Sequence, residues 1–245
     1  PTATLSNAHT LAQLKTINTE LSGTLSLNDY SVALVGSAAD IKAALAGTFA
    51  AAAYTGNVTI NDANGTGIAA TDISTIAGAT AGTVTVQNNI NITGTSAAIA
   101  TAVGDVNTFS GTPTAALGDA HTLAQLKTIN DAISGQLTLT DYSVALSGTS
   151  AQVAAALDGT FASTYTGTAA VSDAHSLAQL KTINDGTSGT ITLTDYTVAL
   201  SGSSADVAAA LDGTFAAAYT GTAAVNDAHS CLLYTSDAAD EVSCV

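Results

Sequence analysis

The stretch that decides the fold runs DAHTLAQLKTINDAISGQLTLTDYSVALSGTSAQVAAALDGTFASTYTGTAAVS and occupies positions 119–172. The segment that follows directly, at 173–226, runs DAHSLAQLKTINDGTSGTITLTDYTVALSGSSADVAAALDGTFAAAYTGTAAVN; it has the same length and differs at few positions. A repeat of fixed length indicates a row of similar structural units, each packed against its neighbours. The fold can therefore be predicted from one unit.

Further copies precede these two. One copy begins with NAHTLAQLKTIN at Asn7, and a diverged copy follows it, in which GTVTVQNNINITGTSAAIATAVGD replaces GTITLTDYTVALSGSSADVAAALDG. We predict the following division of the chain: the end of a preceding unit at 1–6, repeats at 7–62, 63–118 (diverged), 119–172 and 173–226, the start of a fifth repeat at 227–230, and an artefactual tail at 231–245.

Each unit combines helical and strand periodicity. In LAQLKTIN the apolar residues Leu177, Leu180 and Ile183 recur every three positions, after a capping box of Ser176 and Gln179; Thr10 with Gln13 and Thr122 with Gln125 form the same pattern. GTITLTD alternates Ile and Leu with Thr, as a strand does. A second capping box, Ser203 with Asp206, begins a second helix that we expect to carry Val207, Leu211 and Phe215 on one face. The segment TGTAAVN closes the unit as a weak strand.

Strands that alternate with helices favour parallel pairing, because parallel strands need a long crossover connection. Each unit holds two turns of about 27 residues, which is the size of a leucine-rich-repeat turn. We therefore predict an α/β fold, a right-handed repeat solenoid with a parallel sheet. The alternative is a row of tandem β-sandwich modules, which would need mostly strands.

The C-terminal sequence breaks the repeat at Cys231. The segment 231–241, CLLYTSDAADE, resembles the translation of a sequencing-library adapter rather than a continued repeat. Both cysteines, Cys231 and Cys244, lie in this tail, so we expect a natural chain without cysteine and without a disulfide or zinc site. The chain also lacks methionine, and we expect it to be a fragment of a larger protein. The tail removes the helix that would cover the strand around Val225, so we expect a frayed C-terminus there.

The composition excludes several classes of function. Nineteen acidic residues face four lysines, for a formal net charge of −15, which argues against nucleic acid or an anionic membrane surface as a partner. No apolar run is long enough to cross a membrane, so we expect no membrane insertion. The repeats contain no GxSxG, P-loop or HExxH motif, and we expect no enzyme.

Two sets of side chains are candidates for chemistry. His121, His175 and His229 each follow an aspartate, a pairing that metal sites and general bases use, but their place just before a helix favours a role in helix entry. Asp29, Asp141 and Asp195 end equivalent strands, and carboxylates stacked in this way would favour a ladder of Ca²⁺ ions, the one cofactor that the residues suggest. Solvated turn residues are the alternative.

The threonine face of the predicted sheet is a third candidate. Thr138 and Thr140 are expected beside Thr192 and Thr194, in an arrangement similar to the flat threonine arrays of ice-binding solenoids. Threonine is also the residue that exposed strand faces favour, so the array does not by itself indicate a ligand.

The segments LAQLKTIND, SGTITLTDYTVALSG and SADVAAALDGTF together resemble the Ala/Thr/Asp-rich tandem repeats of very large bacterial surface or secreted proteins, from cyanobacteria and proteobacteria, that accompany RTX-type adhesins. This resemblance implies an extracellular or cell-surface segment with a structural or adhesive role and an association with calcium. The expected partners are neighbouring repeats and a surface glycan or other cell-surface molecule. The alternative function is a calcium- or glycan-binding module that uses the Thr/Asp face.

Overall fold

The computed structural model describes residues 1–51 and 53–227, and within these ranges it contains eight helices. They are α1 (Leu11–Glu20), α2 (Ala38–Leu45), α3 (Ala70–Ala79), α4 (Ser96–Asp105), α5 (Leu123–Ala132), α6 (Ser150–Leu157), α7 (Leu177–Gly186) and α8 (Ser204–Leu211). Each of the four predicted repeats contains two of these helices. The tail at 231–245, with both cysteines, and the start of a fifth repeat beyond Asp227 lie outside the described residues. Val225, where we predicted a frayed end, lies in a paired strand whose three residues, Ala223–Val225, are all exposed.

Short strands separate the helices. They are β1 (Ala3–Thr4), β2 (Thr24–Ser26), β3 (Leu34–Gly36), β4 (Thr48–Phe49), β5 (Val58–Ile60), β6 (Gly67–Ala69), β7 (Val84–Val86), β8 (Asn91–Gly94), β9 (Thr108–Phe109), β10 (Thr114–Leu117), β11 (Leu137–Thr138), β12 (Leu146–Gly148), β13 (Ala169–Val171), β14 (Ile191–Leu193), β15 (Leu200–Gly202) and β16 (Ala223–Val225). In the described ranges they form five sheets, ordered β1-β2-β4, β3-β5-β7-β9, β11-β10-β8-β6, β12-β13-β14 and β15-β16.

All strand pairs in the described part of the chain are parallel, and each pair encloses one helix. Paired residues lie 22 to 26 positions apart, as in Ala169 with Ile191 and Val58 with Val84. The helix is the crossover that returns the chain to the same edge of the sheet in the same direction. The predicted α/β class is therefore confirmed. The alternative of tandem β-sandwich modules is wrong, because such modules are built from antiparallel strands and lack these helices.

The local start signals work as the sequence predicts for the first helix of each regular repeat. Thr10 with Gln13, Thr122 with Gln125 and Ser176 with Gln179 form complete capping boxes before α1, α5 and α7. Before α8, Ser203 accepts from the Asp206 N–H and its hydroxyl donates to the Asp206 carboxylate, but the reciprocal bond to the Ser203 N–H is missing. The predicted second capping box is therefore only half formed before α8.

The core lies between the helices and the inward face of the strands. Leu126 and Ile129 of α5 are fully buried, as are the equivalent Leu180 and Ile183 of α7. Branched side chains of the strands, such as Ile191 of β14, are fully buried as well. Each helix also packs against the helix before it and the helix after it. Burial is therefore continuous along the row of repeats rather than divided into separate cores.

The phenylalanine at the end of the second helix was predicted wrongly. We expected Phe215 to continue the helical face of Val207 and Leu211, but α8 ends at Leu211, and Phe215 instead pairs with Ile191 in an extended segment. Phe161 pairs with Leu137 in the same way. Asp212 caps the helix and glycine follows it, so the spacing of four continues across a helix end.

The predicted threonine array is also wrong. Thr138 lies opposite Ala116, and Thr192 lies opposite Ala170, in two different sheets. Alanine therefore interrupts the row that the sequence led us to expect. A row of three threonines does occur in the sheet that runs into the diverged repeat, where Thr59, Thr85 and Thr108 are in register.

None of the described helices combines the length and the apolar character that a membrane crossing requires.

The stability of one repeat should depend on its buried helix face. We expect Leu126→Ala to lower the free energy of unfolding by about 2–5 kcal/mol, because a leucine that is fully buried leaves a cavity. Thr128→Ala on the exposed side of the same helix should change it by less than about 0.5 kcal/mol. Urea denaturation followed by circular dichroism measures both. Equal losses would contradict the assignment of the buried face.

Candidate functional site

The aspartate of the Asp-Ala-His motif caps a helix of the preceding turn of the chain. Asp119 Oδ1 accepts a 2.6 Å hydrogen bond from the Ser96 N–H, and Asp173 Oδ1 accepts an equally short bond from the Ser150 N–H. Ser96 and Ser150 are the first residues of α4 and α6. The carboxylate thus satisfies a backbone donor that the helix leaves unpaired, at the positive end of the helix dipole.

The same bond recurs at the other two second helices. Asp62 accepts from the Ala38 N–H at the start of α2, and Asp227 accepts from the Ser204 N–H at the start of α8. The donor is a backbone group in all four cases, so the identity of the first helical residue is free to vary. We call this contact the aspartate cap. It assigns a structural role to four aspartates of the described chain.

The histidine of the motif is buried and hydrogen-bonded to a tyrosine. His121 is 3 % exposed, and its Nε2 lies 2.9 Å from the hydroxyl of Tyr165. That hydroxyl donates to the carbonyl oxygen of Val144 at 2.7 Å. Because the tyrosine proton is used in this bond, the hydroxyl oxygen accepts from the histidine, and Nε2 carries the imidazole proton.

Two further repeats contain this arrangement, which we call the His–Tyr clip. In these clips the Nε2 atom lies 2.9–3.1 Å from the tyrosine hydroxyl, which donates to a valine carbonyl at 2.6–2.7 Å. The residues of the three clips are His9, Tyr54 and Val32; His121, Tyr165 and Val144; and His175, Tyr219 and Val198. Each clip joins segments that lie 44 or 45 positions apart along the chain. The sequence predicted that these histidines lie at a helix entry, but it did not predict their contact with tyrosine.

Burial governs the protonation of the clip. Burial lowers the pKa of His121 below its ordinary value of 6.5, and the charges of Asp141 and Asp119 oppose this only in part. The pKa values of His9 and His175 are lowered for the same reason. Burial also raises the pKa of Tyr165. All three histidines are therefore neutral at pH 7 and are hidden from solvent, a poor position for a general base that must meet a substrate.

The tyrosine ring of each clip also packs against a phenylalanine. The ring centres of Tyr165 and Phe161 are 5.7 Å apart, and those of Tyr165 and His121 are 5.8 Å apart. Tyr219 contacts Phe215 and His175 at similar distances. Aromatic contacts of this kind add to the stabilisation from burial alone. The clip is therefore the main aromatic cluster of each regular repeat.

The aspartates expected to hold calcium form local turns. Asp141 Oδ1 accepts 2.7 Å bonds from both the N–H and the hydroxyl of Ser143, and Asp29 and Asp195 do the same with Ser31 and Thr197. These bonds lower the pKa of each carboxyl. The turn is followed by the valine whose carbonyl accepts from the clip tyrosine, so the aspartate helps to place that carbonyl.

These three aspartates do not follow neighbouring strands, because β11 and β14 belong to different sheets. Within residues 1–51 and 53–227, no three histidine, cysteine, aspartate or glutamate side chains lie close enough together to share a metal ion. Calcium binding at Asp29, Asp141 and Asp195 stays a prediction for a binding measurement. His229, the third histidine that the sequence singled out, lies outside the described residues.

A polar groove of about 910 Å³ lies where α6, α7 and α8 end. Asp158, Asp185 and Asp212 line it, and Lys181 forms an ion pair with Asp185 at 2.6 Å. The groove lies at the negative ends of the helix dipoles, so its acidic lining disfavours an anionic ligand. Asp158 and Asp212 follow α6 and α8, whereas Asp185 belongs to α7, so the groove joins the ends of both kinds of helix.

Comparison with known proteins yields no relative for this chain. No protein family matches it, and no curated protein or solved structure matches it either.

The clip should contribute measurably to stability through its hydroxyl. We expect Tyr165→Phe to lower the free energy of unfolding by about 1–3 kcal/mol, because the His121 N–H and the Val144 carbonyl lose their shared partner in a buried place. Tyr142→Phe is the matched control, since Tyr142 is only half-buried and its hydroxyl accepts a single backbone bond from Leu139. Urea denaturation should show the smaller loss for the control; the reverse order would contradict the clip.

The aspartate cap should be separable from surface charge. We expect Asp119→Ala to destabilise the protein by about 0.5–2 kcal/mol, as the loss of a helix cap does. Asp131→Ala removes an equal charge from an exposed ion pair with Lys127 and should cost less. Thermal unfolding measures both losses. A loss for Asp119→Ala no larger than that for Asp131→Ala would argue against the cap.

Proposed function

We propose that the repeats form a right-handed solenoid of the leucine-rich-repeat kind. The helices of successive turns begin at regular intervals along the chain, at Leu123, Ser150, Leu177 and Ser204. Each turn contributes one helix to the helical layer and strands to the parallel sheets. The support for this proposal is that every described strand pair encloses one helix and that each helix packs on its neighbours in the chain. Right-handedness follows the general rule for parallel crossovers.

We further propose that this solenoid is a non-enzymatic structural or adhesive segment of a large bacterial cell-surface or secreted protein. The observation that carries the proposal is the use of the repeated polar side chains. The aspartate caps a helix, the histidine binds a buried tyrosine, and the capping-box residues start the helix. The chemistry-bearing residues of the motif therefore serve to hold one turn of the chain to another, as a rod or spacer requires.

A rod of repeats predicts a specific dependence of length on repeat number. Each further copy of 173–226 inserted after Asn226 should lengthen the particle by a constant amount, between two strand spacings and two helix spacings, or roughly 10–20 Å. Small-angle X-ray scattering measures the maximum dimension of chains with one, two and three additional copies. Growth that slows with each copy would indicate a globule and would contradict the solenoid.

The alternative function, a calcium- or glycan-binding module on the Thr/Asp face, makes a different prediction. Calorimetry with Ca²⁺ and a glycan array, both on residues 1–227, would report binding if this face is a recognition surface. The combined variant Asp29→Asn, Asp141→Asn and Asp195→Asn is the matched one for calcium, since asparagine can keep the turns to Ser31, Ser143 and Thr197. Heat that disappears in this variant would favour the alternative, and silence in both assays would favour the structural role.

A further inference from the structure

Each His–Tyr clip contains one buried polar atom without a hydrogen-bond partner. The Nδ1 atoms of His9, His121 and His175 are all buried and accept no hydrogen bond. The opposite nitrogen, Nε2, already carries its proton and donates it to tyrosine, so an added proton can only bind to Nδ1. Protonation would therefore create both a buried charge and a buried N–H donor with no acceptor.

The charges around the clip do not remove this cost. For His121 they are Asp119 in its own turn and Asp141 in the turn after β11, which favour the charged imidazole. Lys127 of α5 lines the same cavity of about 680 Å³ and disfavours it, while Tyr165 stays neutral. Asp173, Asp195 and Lys181 occupy the equivalent places around His175, and Asp29 faces His9. Desolvation is the largest of these influences in all three clips.

We propose that the clips are an acid-sensitive device: protonation of the buried imidazole opens the contact between histidine and tyrosine and loosens the repeats that contain it. The diverged repeat is the internal control. Residues 63–118 contain no histidine and no tyrosine, and Asp62-Ala63-Asn64 stands in place of Asp-Ala-His. Asn64 accepts a backbone bond from Asn89 instead, which does not titrate. Acid should therefore loosen both flanks and spare this repeat.

The direction of the effect follows from linkage. The imidazoles are neutral in the folded chain, with pKa values below the 6.5 of the unfolded chain. Their contribution to stability is complete above pH 6.5 and is lost as the pH falls from 6.5 toward the folded pKa. In this window each histidine changes the opening equilibrium by up to about tenfold per pH unit. The turn aspartates act elsewhere, because their pKa values lie below 3.8.

Hydrogen exchange of the full chain, read by mass spectrometry at pH 7.5, 6.5 and 5.5 and corrected for intrinsic exchange rates, tests the proposal. We expect protection to fall with pH around the clips, in peptides covering Val144, Tyr165, Val198 and Tyr219, and to stay constant in peptides from 63–118. A triple variant, His9→Gln, His121→Gln and His175→Gln, should lose this pH dependence, because glutamine supplies a donor that does not titrate. Equal loss of protection in 63–118, or a pH dependence that survives in the triple variant, would overturn the proposal.

Proton resonances of the imidazole rings provide a measurement that does not depend on the folding of a variant. We expect the signals of His9, His121 and His175, assigned by through-bond experiments on the isotope-labelled wild-type chain, to titrate below pH 6.5. Signals from these positions that titrate at or above 6.5 would overturn the proposal, even if the rod itself is confirmed by scattering.

Discussion

Parallel pairing is the constraint on which the rest of this structure depends. Two parallel strands cannot be joined by a tight turn, so the chain must return along the whole length of the first strand before the second strand can pair with it. Here it does so through a short helix, so that Ala3 pairs with Leu25, Ala169 with Ile191 and Val58 with Val84. The helices are therefore both the connection and the layer that covers the sheet. Neither layer could be buried without the other.

The pairing interval also explains why the sheets are short. Helices α7 and α8 begin at Leu177 and Ser204, an interval of 27 positions, whereas Ala169 pairs with Ile191, an interval of only 22. Each successive strand in this sheet therefore lies about five residues earlier in its turn than the strand before it. After a few turns the paired segment is no longer the strand before a helix but the strand after one. Thus β12 and β13 precede their helices whereas β14 follows α7. Beyond β14 the pairing in the described residues continues only as a single bridge from Ile191 to Phe215, and a separate sheet begins with β15.

Besides the α/β class, the sequence predicted correctly those residues whose contacts are local. The capping boxes and the buried positions Leu180 and Ile183 depend on residues three or four apart, which a helix brings together whatever surrounds it. The assignment of Phe215 to the helix was wrong because its spacing from Leu211 is also four, although the helix has already ended at Leu211. The prediction of a threonine array was wrong because it depends on which residues of two strands lie opposite each other, and the length of the repeat does not reveal this register.

The candidate site shows the same limit. The position of histidine before a helix was visible in the sequence, but its tyrosine lies 44 or 45 positions away and only the fold joins them. A signal did exist: histidine and tyrosine occur together in three repeats and are both missing from 63–118. Joint presence and joint loss indicate contact even in a single chain. The sequence pattern also did not show that Asp141 accepts hydrogen bonds from a residue only two positions further on. Without that partner, the repeated carboxylates suggested calcium.

The aspartate cap has a consequence for how such an array can change. Asp119 belongs to a regular repeat, but the N–H that it binds belongs to Ser96 in the diverged one. Because the carboxylate binds the backbone rather than a side chain, this bond does not depend on which amino acid the preceding repeat supplies, although the Ser96 hydroxyl adds bonds of its own to Ala120 and Gln125. Repeats that have drifted far apart in sequence can therefore still be joined. Duplication of a repeat such as 119–172, which begins with the aspartate, would supply the cap for whichever repeat precedes it.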